Sequence, residues 1–173
     1  AVVVPRTSIG GDSGLIHTTD RLSQARWGMA GAGVDGKAIF AGGSFSTRVD
    51  IFDAQDGEWS TASLSQGRAN LTATAAGGKA FFAGGESYYN QFSDVVDIYD
   101  PSVGTWATAT LSHARMHLAS TSCGDKVFFA GGYSGGYSDV VDIYDLSSDT
   151  WSVAHLSMAR SGMAAASVGT KVF

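Results

Sequence analysis

Lys126-Val-Phe-Phe-Ala-Gly-Gly132, followed by Val140-Val-Asp-Ile-Tyr-Asp145, Trp151 and Arg160, is the stretch on which the fold turns, because the chain writes it three times. The glycine pairs are Gly42-Gly43, Gly84-Gly85 and Gly131-Gly132. The Val-Asp-Ile-aromatic-Asp runs begin at Val49, Val96 and Val141, and the tryptophans that follow are Trp59, Trp106 and Trp151. Arginines stand at Arg26, Arg68, Arg115 and Arg160, spaced by 42, 47 and 45 residues. A period in this range marks a repeat array.

Each repeat reads as four strands. Lys126–Ala130 is a short run of β-formers closed by glycine, the pattern of a buried strand. Tyr133–Ser138 is a Gly/Ser/Tyr loop, and Val140–Asp145 alternates as a second strand. Leu146–Asp149 supplies a turn of residues that bond their own backbone, and Thr150–Val153 is the next strand. Gly162–Ser167 is the small-residue strand after Arg160, and the same slot earlier is Ala69–Thr74. Short links make each repeat an up-and-down antiparallel sheet. The expected class is all-β: a propeller of four-stranded antiparallel blades, about three complete and others partial.

These motifs resemble kelch repeats. The Gly-Gly pair, the aromatic-Asp strand end, the Trp about six residues on and the Arg before the inner strand carry the resemblance, over residues 16–173. It implies kelch-type blades whose Gly-Gly and Trp pack between neighbours. The expected units are about 26–62, 68–109 and 115–154, with 160–173 partial and 1–25 a degenerate blade end, where His17 stands in the tryptophan slot. Propellers generally close with about 4–8 blades. The chain, 1–173, therefore reads as one propeller segment of a longer protein; the alternative is a ring closed by other copies or by Ala1–Val4 as an added strand.

Composition narrows the function. A net charge of −5 makes no case for nucleic acid or an anionic membrane. No apolar run approaches the roughly 20 residues of a membrane span. Only 16% of residues are charged, below the roughly 25% of typical soluble domains, which leans the chain toward the cell surface or exterior. Cys123 is the lone cysteine and excludes an intrachain disulfide. No catalytic triad, phosphate loop or zinc pattern occurs, and no cofactor or metal is expected.

Candidate binding residues fall in two sets. In the kelch family, arginines like Arg26, Arg68, Arg115 and Arg160 can ring a channel mouth and grip acidic groups; the alternative is that each bonds carbonyls or an aspartate of the blades. The residues after them differ between repeats (Trp27, Asn70, His117), as specificity residues do. The loops after Gly-Gly offer Tyr88, Tyr89, Tyr133 and Tyr137, large contact area at low entropic cost. The paired aspartates, such as Asp97 and Asp100, read as turn stabilisers. The function expected is a non-catalytic scaffold binding a protein or small ligand at its loop face. Alternatives are a structural cell-surface assembly protein, or the propeller part of a carbohydrate-active oxidase or isomerase with catalytic residues elsewhere.

Overall fold

The computed structural model describes residues 20–88 and 91–173. Ala1–Val4, His17 and Tyr89 lie outside them. Three four-stranded antiparallel sheets follow one another in the chain. The first holds β1 (Ala30–Val34), β2 (Lys37–Ala41), β3 (Arg48–Asp53) and β4 (Trp59–Ser63), in that spatial order. The second holds β5 (Thr72–Ala76), β6 (Lys79–Ala83), β9 (Val95–Asp100) and β10 (Thr105–Thr110), and between β6 and β9 the chain forms a separate small hairpin of β7 (Glu86–Ser87) and β8 (Gln91–Phe92). The third is β11 (Ala119–Cys123), β12 (Lys126–Ala130), β13 (Val140–Asp145) and β14 (Thr150–His155). A last hairpin pairs β15 (Ser167–Val168) with β16 (Lys171–Val172). No described residue is helical, and so no described helix could cross a membrane.

The sheets are propeller blades. The first strand of each packs on the first strand of the next, β1 on β5, β5 on β11 and β11 on β15, and so lies nearest the axis. An interior blade is covered on both faces, which is why its second strand is apolar without alternation. Phe81 and Phe82 are adjacent and both fully buried. Phe82 packs with Ile39, Val49 and Leu64 of the first blade, while Phe81 packs with Val127, Phe129 and Leu118 of the third. The core is therefore a series of seams between blades. The tryptophans lie tilted against the aromatic residue opposite them, Trp106 on Tyr99 (4.8 Å between ring centres) and Trp151 on Tyr144 (5.0 Å), and border those seams.

Two expectations need correction. The inner strand starts later than the sequence suggests, at Thr72 rather than Ala69, and in the last repeat the strand is Ser167–Val168, so that of the expected Gly162–Ser167 only Ser167 falls within it. The cause is a left-handed residue two places after each arginine, as at Asn70 (φ 56°), which breaks the extended run. The aspartate pairs also divide. Asp53, Asp100 and Asp145 do stabilise turns, accepting from the N–H of Gln55, Ser102 and Ser147. Asp50, Asp97 and Asp142 are buried and serve the arginines instead.

The lower edge, where β13 turns into β14, carries a testable bond. Tyr144 Oη donates to Asp149 Oδ1 at 2.6 Å. That bond, aided by partial burial, pushes the phenol up to about 12. A raised folded value means the contribution is complete below the free phenol value of about 10 and is lost as pH climbs to about 12. Absorbance titration should show one tyrosinate appearing late, and Tyr144→Phe should remove that step. An unchanged curve for the variant would refute the assignment.

Candidate functional site at the upper rim

Each Leu-Ser-x-x-Arg run links one blade to the next, and a single aspartate holds it there. Asp97 accepts the Ser65 N–H (2.9 Å) and pairs with the Arg68 guanidinium. Asp142 does the same for Ser112 N–H (2.9 Å) and Arg115 (2.8 Å), and Asp50 for Ser23 N–H (3.1 Å) and Arg26 (2.7 Å). Arg68 also donates to the carbonyls of Gly84 (2.6 Å) and Val95 (2.7 Å). Burial holds its guanidinium below the ordinary value, outweighing the attraction of Asp97. Burial pushes the Asp50 carboxyl up, but its bonds from Ser23 and Arg26 more than offset this and leave it below the usual value.

Arg68 and Arg115 are fully buried, and the Arg26 side chain has no exposed surface. All three are enclosed in the blades, each spent on the aspartate of the blade it opens. They do not ring an open mouth. Arg160 differs: its side chain is exposed, and its Nε donates to the Met158 carbonyl (3.1 Å).

The Gly-Gly pair lets the links approach. Gly85 N–H donates to Arg115 O (2.8 Å), and the same bond joins Gly43 to Arg68 and Gly132 to Arg160. Gly84 has φ 65°, and a Cβ there would lie 2.5 Å from the Arg115 carbonyl oxygen.

The residues two places after the arginines form a collar. Gly28, Asn70, His117 and Gly162 all have positive φ, between 54° and 66°. Asn70 N–H donates to Gly28 O (2.8 Å), His117 N–H to Asn70 O (3.1 Å) and Gly162 N–H to His117 O (3.0 Å). These four, with Met29, Leu71, Leu118 and Met163, line a cavity of about 260 Å³. Asn70 Nδ2 donates to Glu86 Oε1 (2.8 Å), which fixes the amide. His117 is exposed.

Aromatic side chains flank the collar on the same rim. Trp27 meets Phe45 edge-on (5.5 Å between ring centres), and Phe45 meets Tyr88 (4.9 Å). Phe92 meets Tyr133 (6.0 Å), and Tyr133 meets Tyr137 (6.1 Å). Tyr88 and Phe92 belong to one hairpin segment, so the second blade's loop reaches toward both neighbours. Trp27, Tyr88 and Tyr137 are 56%, 64% and 70% exposed.

The structure thus brings Asn70 and His117 to one cavity and sets Trp27, Tyr88, Tyr133 and Tyr137 on the rim that holds it. Sequence reasoning missed Glu86, Phe45 and the two collar glycines. Alignment of the four arginines would have exposed the last, since Gly, Asn and His at one offset are residues that enter the left-handed region readily. Among the described residues no three His, Cys, Asp or Glu side chains are grouped to hold a metal ion. Cys123 ends β11, and its thiol points to Gly169 O (3.4 Å).

Residues 67–110 and 114–154 match the kelch motif model, each match opening at the arginine link. Two of the chain's repeats are kelch motifs. The solved structure of YjhT is similar to this chain at a TM-score of 0.74 and 17% identity, over 87% of this chain and 56% of that one. The chain therefore spans little more than half the length of that structure. No curated protein matches it in sequence.

Proposed function

We propose that this kelch segment is a non-catalytic scaffold that binds a protein or ligand at its upper rim. The observation that carries the reading is the convergence of the collar side chains Asn70 and His117 on one cavity, on a rim that also exposes Trp27, Tyr88 and Tyr137. What varies between repeats gathers on this rim, while Arg26, Arg68 and Arg115 and their partners Asp50, Asp97 and Asp142 lie buried beneath it. Loops held on a rigid scaffold are the usual seat of recognition, and exposed tyrosine and tryptophan are the usual anchors.

A displayed peptide library panned on the chain, followed by affinity measurement on variants, tests this. Tyr137→Ala and Trp27→Ala should each weaken selected binders by about tenfold or more, the size of an aromatic anchor. Val103→Ala, equally exposed at a lower turn, should leave affinity unchanged. Binders sensitive to Val103→Ala and indifferent to Tyr137→Ala and Trp27→Ala would place recognition on the other face.

A further inference from the structure

The direction of the inner-strand backbone at the cavity follows from sheet register. Gly84 N–H donates to Val95 O (3.0 Å), so at that level β6 bonds outward to β9. Antiparallel partners alternate. Leu71, opposite Gly84 by the register Thr72↔Ala83, therefore turns its N–H and C=O away from β6 and toward the axis. The bond from Gly131 N–H to Val140 O (2.9 Å) sets Leu118 the same way. Deeper along the same edge, Ala73 O and Ala75 O meet the hydroxyls of Ser120 (3.0 Å) and Ser122 (2.8 Å), as this alternation requires.

Donors and acceptors at the mouth are not equally spent. The carbonyls of Gly28, Asn70 and His117 are taken by neighbouring amides. The carbonyls of Leu71 and Leu118 lie a peptide deeper than their own N–H groups. No acceptor among the described residues meets the Leu71 or Leu118 amide, and both residues line the cavity. The His117 ring, also lining it, makes no hydrogen bond among the described residues.

We propose that this mouth binds an oxyanion, a carboxylate foremost, on the amides of Leu71 and Leu118 with the His117 imidazole beside it. Backbone amides converging on a concavity favour negative charge, and here the left-handed collar holds them in place. The guanidinium groups of Arg26, Arg68 and Arg115 take no part, being buried against their own aspartates. The proposal rests on reading the upper rim as a binding face and assigns the chemistry of its centre.

The test is an amide-resolved NMR titration of the isotope-labelled 173-residue chain with acetate, with acetamide as its neutral counterpart, and with a blocked peptide carrying a single glutamate. Saturable shifts of the Leu71 and Leu118 amides by acetate support a free small acid as ligand. The same shifts from the peptide alone support a carboxylate borne by a polypeptide. Asn70→Asp, which sets a negative charge at the collar, should weaken either by about tenfold or more, since like charges in an interface repel strongly. His117→Asn, tolerant of the left-handed backbone, should weaken it several-fold and serves if the first variant unfolds. Equal shifts with acetamide, or none with either acid, overturn the proposal. If Tyr137→Ala still abolishes peptide binding in that case, the rim remains the binding face and only its oxyanion chemistry falls.

Discussion

Asp97→Ala is expected to destabilise the chain by about 3–5 kcal/mol, the cost of leaving a buried charge without its partner. Among the described residues the carboxylate is the only anion paired with Arg68, which has no exposed surface, and it also receives the Ser65 amide that starts the link. For a chain of this size such a loss lowers the melting temperature by on the order of 10 °C. Asp100→Ala is the control, since that carboxylate lies at the surface near Lys79 (3.3 Å) and its loss should move the melting point only slightly. Replacing Arg68 by Met and Asp97 by Val together should recover much of the stability, because an apolar pair of similar volume avoids the desolvation cost. Equal melting points for Asp97→Ala and Asp100→Ala would sink the idea that the aspartate clamps the blade link.

The second large effect is at Gly84. Alanine there must hold a left-handed backbone, at about 1–2 kcal/mol, and must push a Cβ against the Arg115 carbonyl oxygen 2.5 Å away. Overpacking of that kind adds about 1–3 kcal/mol. The carbonyl cannot retreat easily, because it accepts the Gly85 N–H at 2.8 Å and so joins two blades. Gly36 separates the two causes: its φ is 72°, yet a Cβ placed there would meet nothing within 4 Å. Gly36→Ala should therefore show the backbone cost alone. Urea midpoints at unchanged slope measure both, and identical midpoints for the two variants would remove steric approach as the reason for the glycine.

Strand identity is legible because it is written locally. Val140–Asp145 reads as a strand from its own six residues and is one over that same span. The turn role of Asp145 is legible for the same reason, since its partner Ser147 is two residues away. Asp142 is not legible. It looks like Asp145 in sequence, but its partner Arg115 is 27 residues earlier and reaches it only when the link folds over the blade. The start of the inner strand escapes a local reading in the same way. Asn70 adopts φ 56° where the collar hydrogen bonds to Gly28 and from His117 hold it, and neither partner is near in sequence.

Alone, the sequence determined the blade: four strands in order, a Phe-Phe strand apolar on both sides, a glycine pair and a tryptophan at fixed places. These follow from periodicity and turn chemistry, which act over a few residues. Only the tertiary structure decided which polar groups are sealed and which meet solvent. Asp97 and Asp100 lie on the same strand and look alike in sequence, yet Asp97 is buried against Arg68 while Asp100 lies at the surface beside Lys79. Each buried arginine is enclosed with an aspartate 24 to 29 residues further on, a contact that no local pattern announces. Asn70 and His117 share a cavity for a related reason: successive blades bring the same offset to one axis, where their backbones bond to each other.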